Sequence, residues 1–593
     1  MGRFVAALSL LGSVLAQTPP QAGPVTVLKS SEIKSGMKAT AWTVFEGSEP
    51  EAVPIEIIGL WKNAWGPKQD IILGKMGGRA ARTNVAGGMS GSPVYIDGKL
   101  IGAVALRLSV FSPDAICGIT PIELMLEINE FDQTKPAAPV RASAAIPVPG
   151  EFVASQPLMV PIEAPLTLSG FGEETMRQFA PMFAQFGVKA ALGGGGGTSY
   201  EVKPAPDWKN ALRPGQTMTG VLVSGDMSVT GLGTVSYNDG RRVLGFGHPF
   251  FNLGPVNMPM SKGEILMVLS SAFAPNKFGN ATEIVGALKQ DRHSGIMGVL
   301  GEQAPMIPVT MKVRTFNGAK APQSQKDFRF NIFVQQKWTP FLMMLTLFNS
   351  IQQLNDFADE ATYKFSGSIR LEGGQRLDLS TMAAPGDMPM PTPMLLAGWW
   401  ADKFNKLFGN PVAMPKLDGV DVTVDLLPQR RVAAVESAWS SAVDVEPGDK
   451  VRVKAFLRPY RGERLEREFS WTVPAGLPKG EHRLLLSDAD TLNRLQSAAG
   501  TLNRFLDVSQ TLSLLKQERT NTKMYVSLLQ PRPTVYYEDK AMPNLPASVL
   551  NVLGATRSAS RPIITSGETA TEQLTLDFDQ LVTGSATVRF TVK

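Results

Sequence analysis

Two glycine-framed polar residues offer chemistry in this sequence. Ser90 sits in Gly87-Gly88-Met89-Ser90-Gly91-Ser92-Pro93. A serine nucleophile needs a tight turn that exposes its Oγ and leaves main-chain N–H groups free to face a developing oxyanion, and flanking glycines permit both. The alternative is a Gly/Ser hairpin of no special use. His248 sits in Leu244-Gly245-Phe246-Gly247-His248-Pro249-Phe250, at the end of an apolar strand. An imidazole bracketed by Gly and Pro suits a positioned base, against the alternative of a histidine satisfied inside a loop. The other two histidines, His293 in Asp291-Arg292-His293-Ser294 and His482 in Gly480-Glu481-His482-Arg483, occupy polar stretches that read as solvated. If Ser90 has a histidine base, His248 is the best of the three.

The elements that must position these residues are mainly β. Residues Val25 to about Gln133 alternate short strands with Gly/Asp turns. Pro93 to Ile96, then Asp97-Gly98, then Lys99 to Leu106 spell a hairpin on a two-residue turn, and Thr120-Pro121 opens a short helix running to about Glu130. Residues 134–200 read as a Pro/Gly-rich linker holding one amphipathic helix, Glu173 to Phe186, which Pro181 should kink or split. Strands resume across 201–335, the half that carries His248. A helical connector spans 336–362 around the apolar run Phe341 to Ile351. A β-sandwich is expected over 363–490, and a helix with terminal strands over 491–593.

Composition narrows the class. A chain of 593 residues is too long for one core, so several domains are expected. Hydrophobic residues at 43% and charged residues at 19% fit folded domains rather than disorder. The net charge of +5 comes with no Lys/Arg block interleaved with aromatics, which argues against nucleic acid as a partner. Arg3 followed by the apolar run Phe4 to Leu15 and Ala16 has the form of a secretory signal peptide over residues 1–16, implying export to the periplasm or beyond. That run is too short for a stable membrane span, as is Phe341 to Ile351. The single cysteine, Cys117, lies among apolar residues and reads as a buried hydrophobe rather than a nucleophile. With one Cys and three His, a metal site has little to draw on, and neither metal nor other cofactor is expected.

The segment Gly88-Met89-Ser90-Gly91-Ser92-Pro93, with Asp97-Gly98-Lys99-Leu100-Ile101-Gly102-Ala103-Val104 after it, closely resembles the nucleophile region of the SpoIVB sporulation peptidase family. Gly36-Met37-Lys38 through Thr43-Val44 and Ile55-Glu56-Ile57 resemble the strands before that serine. Gly231-Leu232-Gly233-Thr234-Val235 leading to Gly245-Phe246-Gly247-His248 resembles the family's histidine segment. The resemblance covers less than half of the chain. It implies a chymotrypsin-like double β-barrel assembled here from two separated segments. It also implies Ser90 as nucleophile, His248 as general base, and the main-chain N–H groups of Gly88 and Ser90 as oxyanion hole. The substrate would be a protein or peptide, cut through an acyl-enzyme.

Three features depart from the family. Its histidine segment precedes the serine segment, whereas here Ser90 comes first. The acid expected shortly before the serine is missing: Ile71 to Gly88 contains no Asp or Glu, leaving Asp70 as the nearest candidate. Asp226, Asp239 and Asp291 are alternatives near the histidine, while Asp97 serves its turn. No segment plainly supplies the PDZ module that usually precedes the peptidase. An inactive secreted or envelope scaffold on the same fold, and a chain that cuts only itself, therefore stand beside the active peptidase. An unperturbed imidazole would make activity rise with pH near ~6.5.

Overall fold

The computed structural model describes residues 18–593 except 109–112, 137–158, 187, 189, 194–199, 272–273, 319–320, 355–359, 387–389, 498–505, 532–533, 538–539, 544, 557–562 and 567. The signal-peptide expectation at residues 1–16 lies outside the described residues, as does much of the expected linker. The chain is mainly β and divides into two units, residues 1–170 with 179–305, and residues 171–178 with 306–593.

In the first unit, a closed six-stranded barrel is built from β1 (Lys38–Thr43), β2 (Glu51–Gly66), β3 (Gln69–Met76), β4 (Pro93–Ile96), β5 (Lys99–Leu108) and β6 (Ile116–Pro121). Pairing runs β4-β1-β2-β3-β6-β5 and closes through β4 with β5. The β4–β5 turn is the expected Asp97-Gly98 pair, with φ of 49° and 77°, the two left-handed residues a tight hairpin turn requires. In β2 alternate residues Val53, Ile55 and Ile57 are buried, as a barrel wall with one wet face demands. β5 is buried along nearly its whole length. Its Ile101 and Val104 fill the barrel core with Ile55, Ile72 and Ile119, while Leu100 and Ala103 pack outward on Ile122, Leu244 and Met297. Cys117 is a buried free thiol in the barrel core, as its neighbours suggest.

Three short strands follow, β7 (Met159–Pro161), β8 (Leu166–Ser169) and β9 (Ala190–Leu192), and β7 adds to the far end of β5. Next come β10 (Thr217–Gly225), β11 (Ser228–Asn238), β12 (Arg242–Gly245), β13 (Gly254–Leu269), β14 (Asn276–Arg292) and β15 (Gly295–Leu300). These pair in the order β10-β13-β14-β15-β12-β11, and β10 pairs β11 in turn. Gly231 and Gly233 on β11 have a mechanical reason: a Cβ at either would strike the rings of Phe250 and Phe246, which lie over the strand. The helix Glu173–Gln185 runs unbroken through Pro181, with Phe179 and Phe183 buried. The short helix after β6 ends at Leu126, earlier than expected.

In the second unit the strands Met306–Thr315 and Ser324–Phe333, which fall inside the expected histidine half, join Thr362–Leu371, Arg376–Ala383 and Leu417–Leu427 in one sheet. The apolar run expected to be helical is the helix Trp338–Gln352, which packs on a second helix, Thr392–Phe408. The sandwich core lies further along than expected. Val435, Val453 and Leu457 of one sheet meet Leu484, Val526 and Phe590 of the other, so it draws on strands from Val432 to Val592.

Gly91 tests how tightly the first unit is closed. Its φ is +93°, and a Cβ there would collide with the Thr234 carbonyl and the Phe246 N–H. Gly91→Ala is expected to cost about 3 kcal/mol or more. Urea unfolding measures it, and a loss below about 1 kcal/mol at unchanged slope would show a looser junction.

Candidate active site

Ser90 lies in the loop between the short helix Ala80–Thr83 and β4. Strands outside its own barrel hold that loop. Thr234 N–H donates to the Ser90 carbonyl (2.8 Å), Thr234 Oγ1 to the Gly88 carbonyl (2.9 Å), and Ser236 Oγ to the Gly91 carbonyl (2.8 Å). Lys277 N–H donates to the Gly87 carbonyl, and Gly87 N–H to that of Pro275. Within its own barrel Gly91 N–H reaches the Val104 carbonyl at 2.7 Å. Gly88 and Gly91 both take positive φ, so the turn uses the glycines as the sequence implies.

His248 follows β12 on a loop held from the opposite side. Thr120 Oγ1 on β6 donates to the Gly247 carbonyl at 2.7 Å, and Gly247 packs on Ala103 and Ala105 of β5. Asp291 at the end of β14 accepts the N–H groups of Phe250 (2.7 Å), Phe251 (2.7 Å) and Leu253 (3.1 Å), which fixes the chain just beyond the histidine. The serine and histidine loops, distant in sequence, thus share one junction.

The imidazole Nδ1 lies 2.8 Å from the Pro249 carbonyl, which can only accept, so the neutral ring carries its proton on Nδ1. Nε2 is then a bare lone pair. It is buried and has no hydrogen-bond partner among the described residues, and the same holds for Ser90 Oγ. The two do not bond to each other: a buried donor without an acceptor and a buried acceptor without a donor sit on interlocked loops. Burial pushes the His248 pKa down to about 4, opposed by the Pro249 and Ile162 main chain and by the Glu163 carboxylate.

The expected acids are placed elsewhere. Asp70 accepts Asn63 N–H at 2.8 Å in the exposed β2–β3 hairpin. Asp239 caps its turn by taking the N–H groups of Arg241 and Arg242, Asp97 sits in the β4–β5 turn, and Asp226 lies between β10 and β11. Asp291 reaches the histidine loop through its main chain, not the ring. A main-chain carbonyl fills the place on Nδ1 for which Asp70 was the candidate. The carboxylate whose field acts on the ring is Glu163, ion-paired with the buried Arg107 at 2.8 Å. Glu163 falls in the stretch whose prolines read as linker, and no motif in the sequence points to it.

The expected oxyanion donors differ in state. Gly88 N–H donates to the Glu163 carbonyl at 3.3 Å, whereas Ser90 N–H has no acceptor among the described residues. Lys277 is a second residue without a sequence signal. Its stem packs on Gly88, and its wholly buried Nζ donates to Thr43 Oγ1 at 2.7 Å. Burial pulls its pKa down to about 7. Of the other histidines, His293 is exposed and accepts from Trp65 Nε1. His482 is buried against Phe590, not solvated, because its strand forms a wall of the sandwich.

The chain matches no protein-family model, no curated protein and no solved structure. The site therefore rests on its own geometry and on the two motifs.

Lys277 gives a test by pH. Its folded pKa lies below its unfolded value, so the unfolded chain binds the extra proton and stability rises with pH above about 7. The slope approaches about 1.4 kcal/mol per pH unit between roughly pH 7 and 9. Lys277→Met should flatten it in urea-unfolding series. A slope unchanged by the substitution would mean the amine is hydrated in the folded chain.

Proposed function

We propose that this chain is an exported SpoIVB-like serine peptidase, hydrolysing peptide bonds through a Ser90 acyl-enzyme with His248 as general base. The closed barrel and the second curled strand set correspond, in this reading, to a chymotrypsin-like double barrel with its two halves in permuted order. The observation that carries it is the complementary pair of buried, unpartnered atoms, Ser90 Oγ and His248 Nε2, on loops that each grip the other half. The tautomer suits a general base, since Nδ1–H is held by Pro249 and Nε2 is free to take the serine proton. The hydroxyl then attacks the scissile carbonyl, the amine leaves with the proton from the imidazole, and water repeats the sequence on the ester. Ser90 N–H is the donor open to the oxyanion, and Gly88 N–H joins it once the Glu163 carbonyl withdraws. Glu163 favours the imidazolium formed in that step, and Asp291 acts as a positioning residue for the loop.

A second reading, an inactive secreted or envelope-associated scaffold, draws on the occupied Gly88 N–H and the missing Ser90–His248 hydrogen bond. Phosphonylation by a fluorophosphonate separates the two. The full chain should label at Ser90 and Ser90→Ala should not, while His248→Ala should label about a hundredfold more slowly. Because burial holds the imidazole near 4, the rate should be flat from about pH 5 to 8 rather than rising near 6.5. Labelling that survives in Ser90→Ala, or that His248→Ala leaves untouched, removes the peptidase assignment.

A further inference from the structure

One strand in the first unit lies outside both sets of curled strands and runs beside the serine loop. β7 pairs antiparallel with the end of β5, in the register Leu108↔Met159, Arg107↔Val160 and Leu106↔Pro161. The chain continues in step, with Ile162 N–H donating to the Ala105 carbonyl at 2.9 Å. Hydrogen-bonded positions alternate along such a pair, so Pro161, which has no N–H, falls where none is needed. The Ile162 side chain is fully buried in the barrel core, and its main chain lies against the His248 imidazole. One residue on, the Glu163 carbonyl takes Gly88 N–H, and its carboxylate pairs with Arg107 from β5.

An extended peptide entering a serine peptidase must meet the same three partners. It adds to a strand edge, sets a carbonyl on the oxyanion donors, and lays the peptide unit beside the base. We propose that Met159–Pro165 is a built-in pseudosubstrate, a strap filling the groove of Ser90 in the manner of the peptides the site accepts; this rests on the reading of Ser90 and His248 as nucleophile and base.

The register accounts for a strap that stays whole. The carbonyl on Gly88 N–H belongs to Glu163, while the peptide unit beside the imidazole is that of Ile162, and Ser90 Oγ bonds to neither. No single carbonyl therefore has nucleophile, base and oxyanion donor together. The strap also describes the substrate class: an extended polypeptide with an aliphatic residue in the pocket of Ile162, proline tolerated just before it, and an acidic residue tolerated just after.

The test compares fluorophosphonate labelling of Ser90 in the full chain and in Ile162→Pro, which removes the N–H that meets Ala105, with thermal melts to check folding. Release of the strap should speed labelling about tenfold or more, as expected for losing one or two main-chain hydrogen bonds. An added acetyl-Met-Val-Pro-Ile-Glu-Ala-Pro amide should slow Ile162→Pro again, and a scrambled peptide should not. If both proteins fold and label at Ser90 equally fast, the strap proposal fails and the serine reading survives. If neither labels at Ser90, the serine reading fails and the strap falls with it. Should Ile162→Pro not fold, the unaltered chain answers through labelling in sub-denaturing urea. A rate that climbs well before the unfolding transition supports strap release, and a rate that rises only with global unfolding overturns it.

Discussion

The serine loop has carbonyl groups that its own barrel does not satisfy. Buried main-chain acceptors left without donors are costly, and the donors for Gly88, Ser90 and Gly91 come from Thr234 and Ser236 on β11. The histidine loop shows the reverse dependence, with the Gly247 carbonyl taken by Thr120 of the barrel. Each half thus completes the other's loop, and these carbonyl groups would lose their donors without the junction. Two segments far apart in sequence are bound to one geometry by this reciprocity, which does not depend on which of them comes first. The order in which the serine and histidine segments come is therefore no physical obstacle to the proposed site.

Legibility in the sequence followed the same physics. The serine and histidine loops could be found because tight turns and close approach demand glycine, and glycine runs are visible. Gly91 abuts Thr234 and Phe246, and Gly231 and Gly233 make room for two Phe rings. The β4–β5 hairpin was visible for the same reason. What stayed hidden was whatever depends on main-chain partners or on isolated residues. Glu163 and β7 lie in a stretch whose prolines suggest an extended linker, and three residues are too few to show an alternating pattern. Lys277 looks like any strand lysine until the fold encloses it. An acid near Ser90 is needed only if a carboxylate must hold Nδ1, and a carbonyl from the next residue satisfies that nitrogen without leaving a motif.

Burial sets the electrostatics of the junction. His248, Lys277 and Asp291 are all enclosed, and in each the enclosure disfavours the charged form, moving their pKa values to about 4, 7 and 6. For Asp291 and His248 main-chain groups partly restore what burial removes, through the amides of the histidine loop in one case and the Pro249 and Ile162 main chain in the other. The ion pair beside these groups, Arg107 with Glu163, ties β5 to the segment whose carbonyl takes Gly88 N–H. That segment is therefore held by charge at one point and by main-chain hydrogen bonds at others.

The unpaired hydroxyl and lone pair make sense within this arrangement. A buried polar atom without a partner costs about 1–3 kcal/mol, and two of them persist only where the surroundings fix the loops more strongly than the atoms resist. Here the junction hydrogen bonds supply that excess. The chain consequently holds Ser90 Oγ and His248 Nε2 in a state less favourable than one in which each had a hydrogen-bond partner. Drawing the Glu163 carbonyl off Gly88 N–H would free that donor beside Ser90 N–H, the two groups that the proposed mechanism assigns to the oxyanion. In the proposed reading, closure and readiness are then two consequences of one set of contacts, because the Gly88 N–H that holds the Glu163 carbonyl is the donor that the serine would use on a substrate.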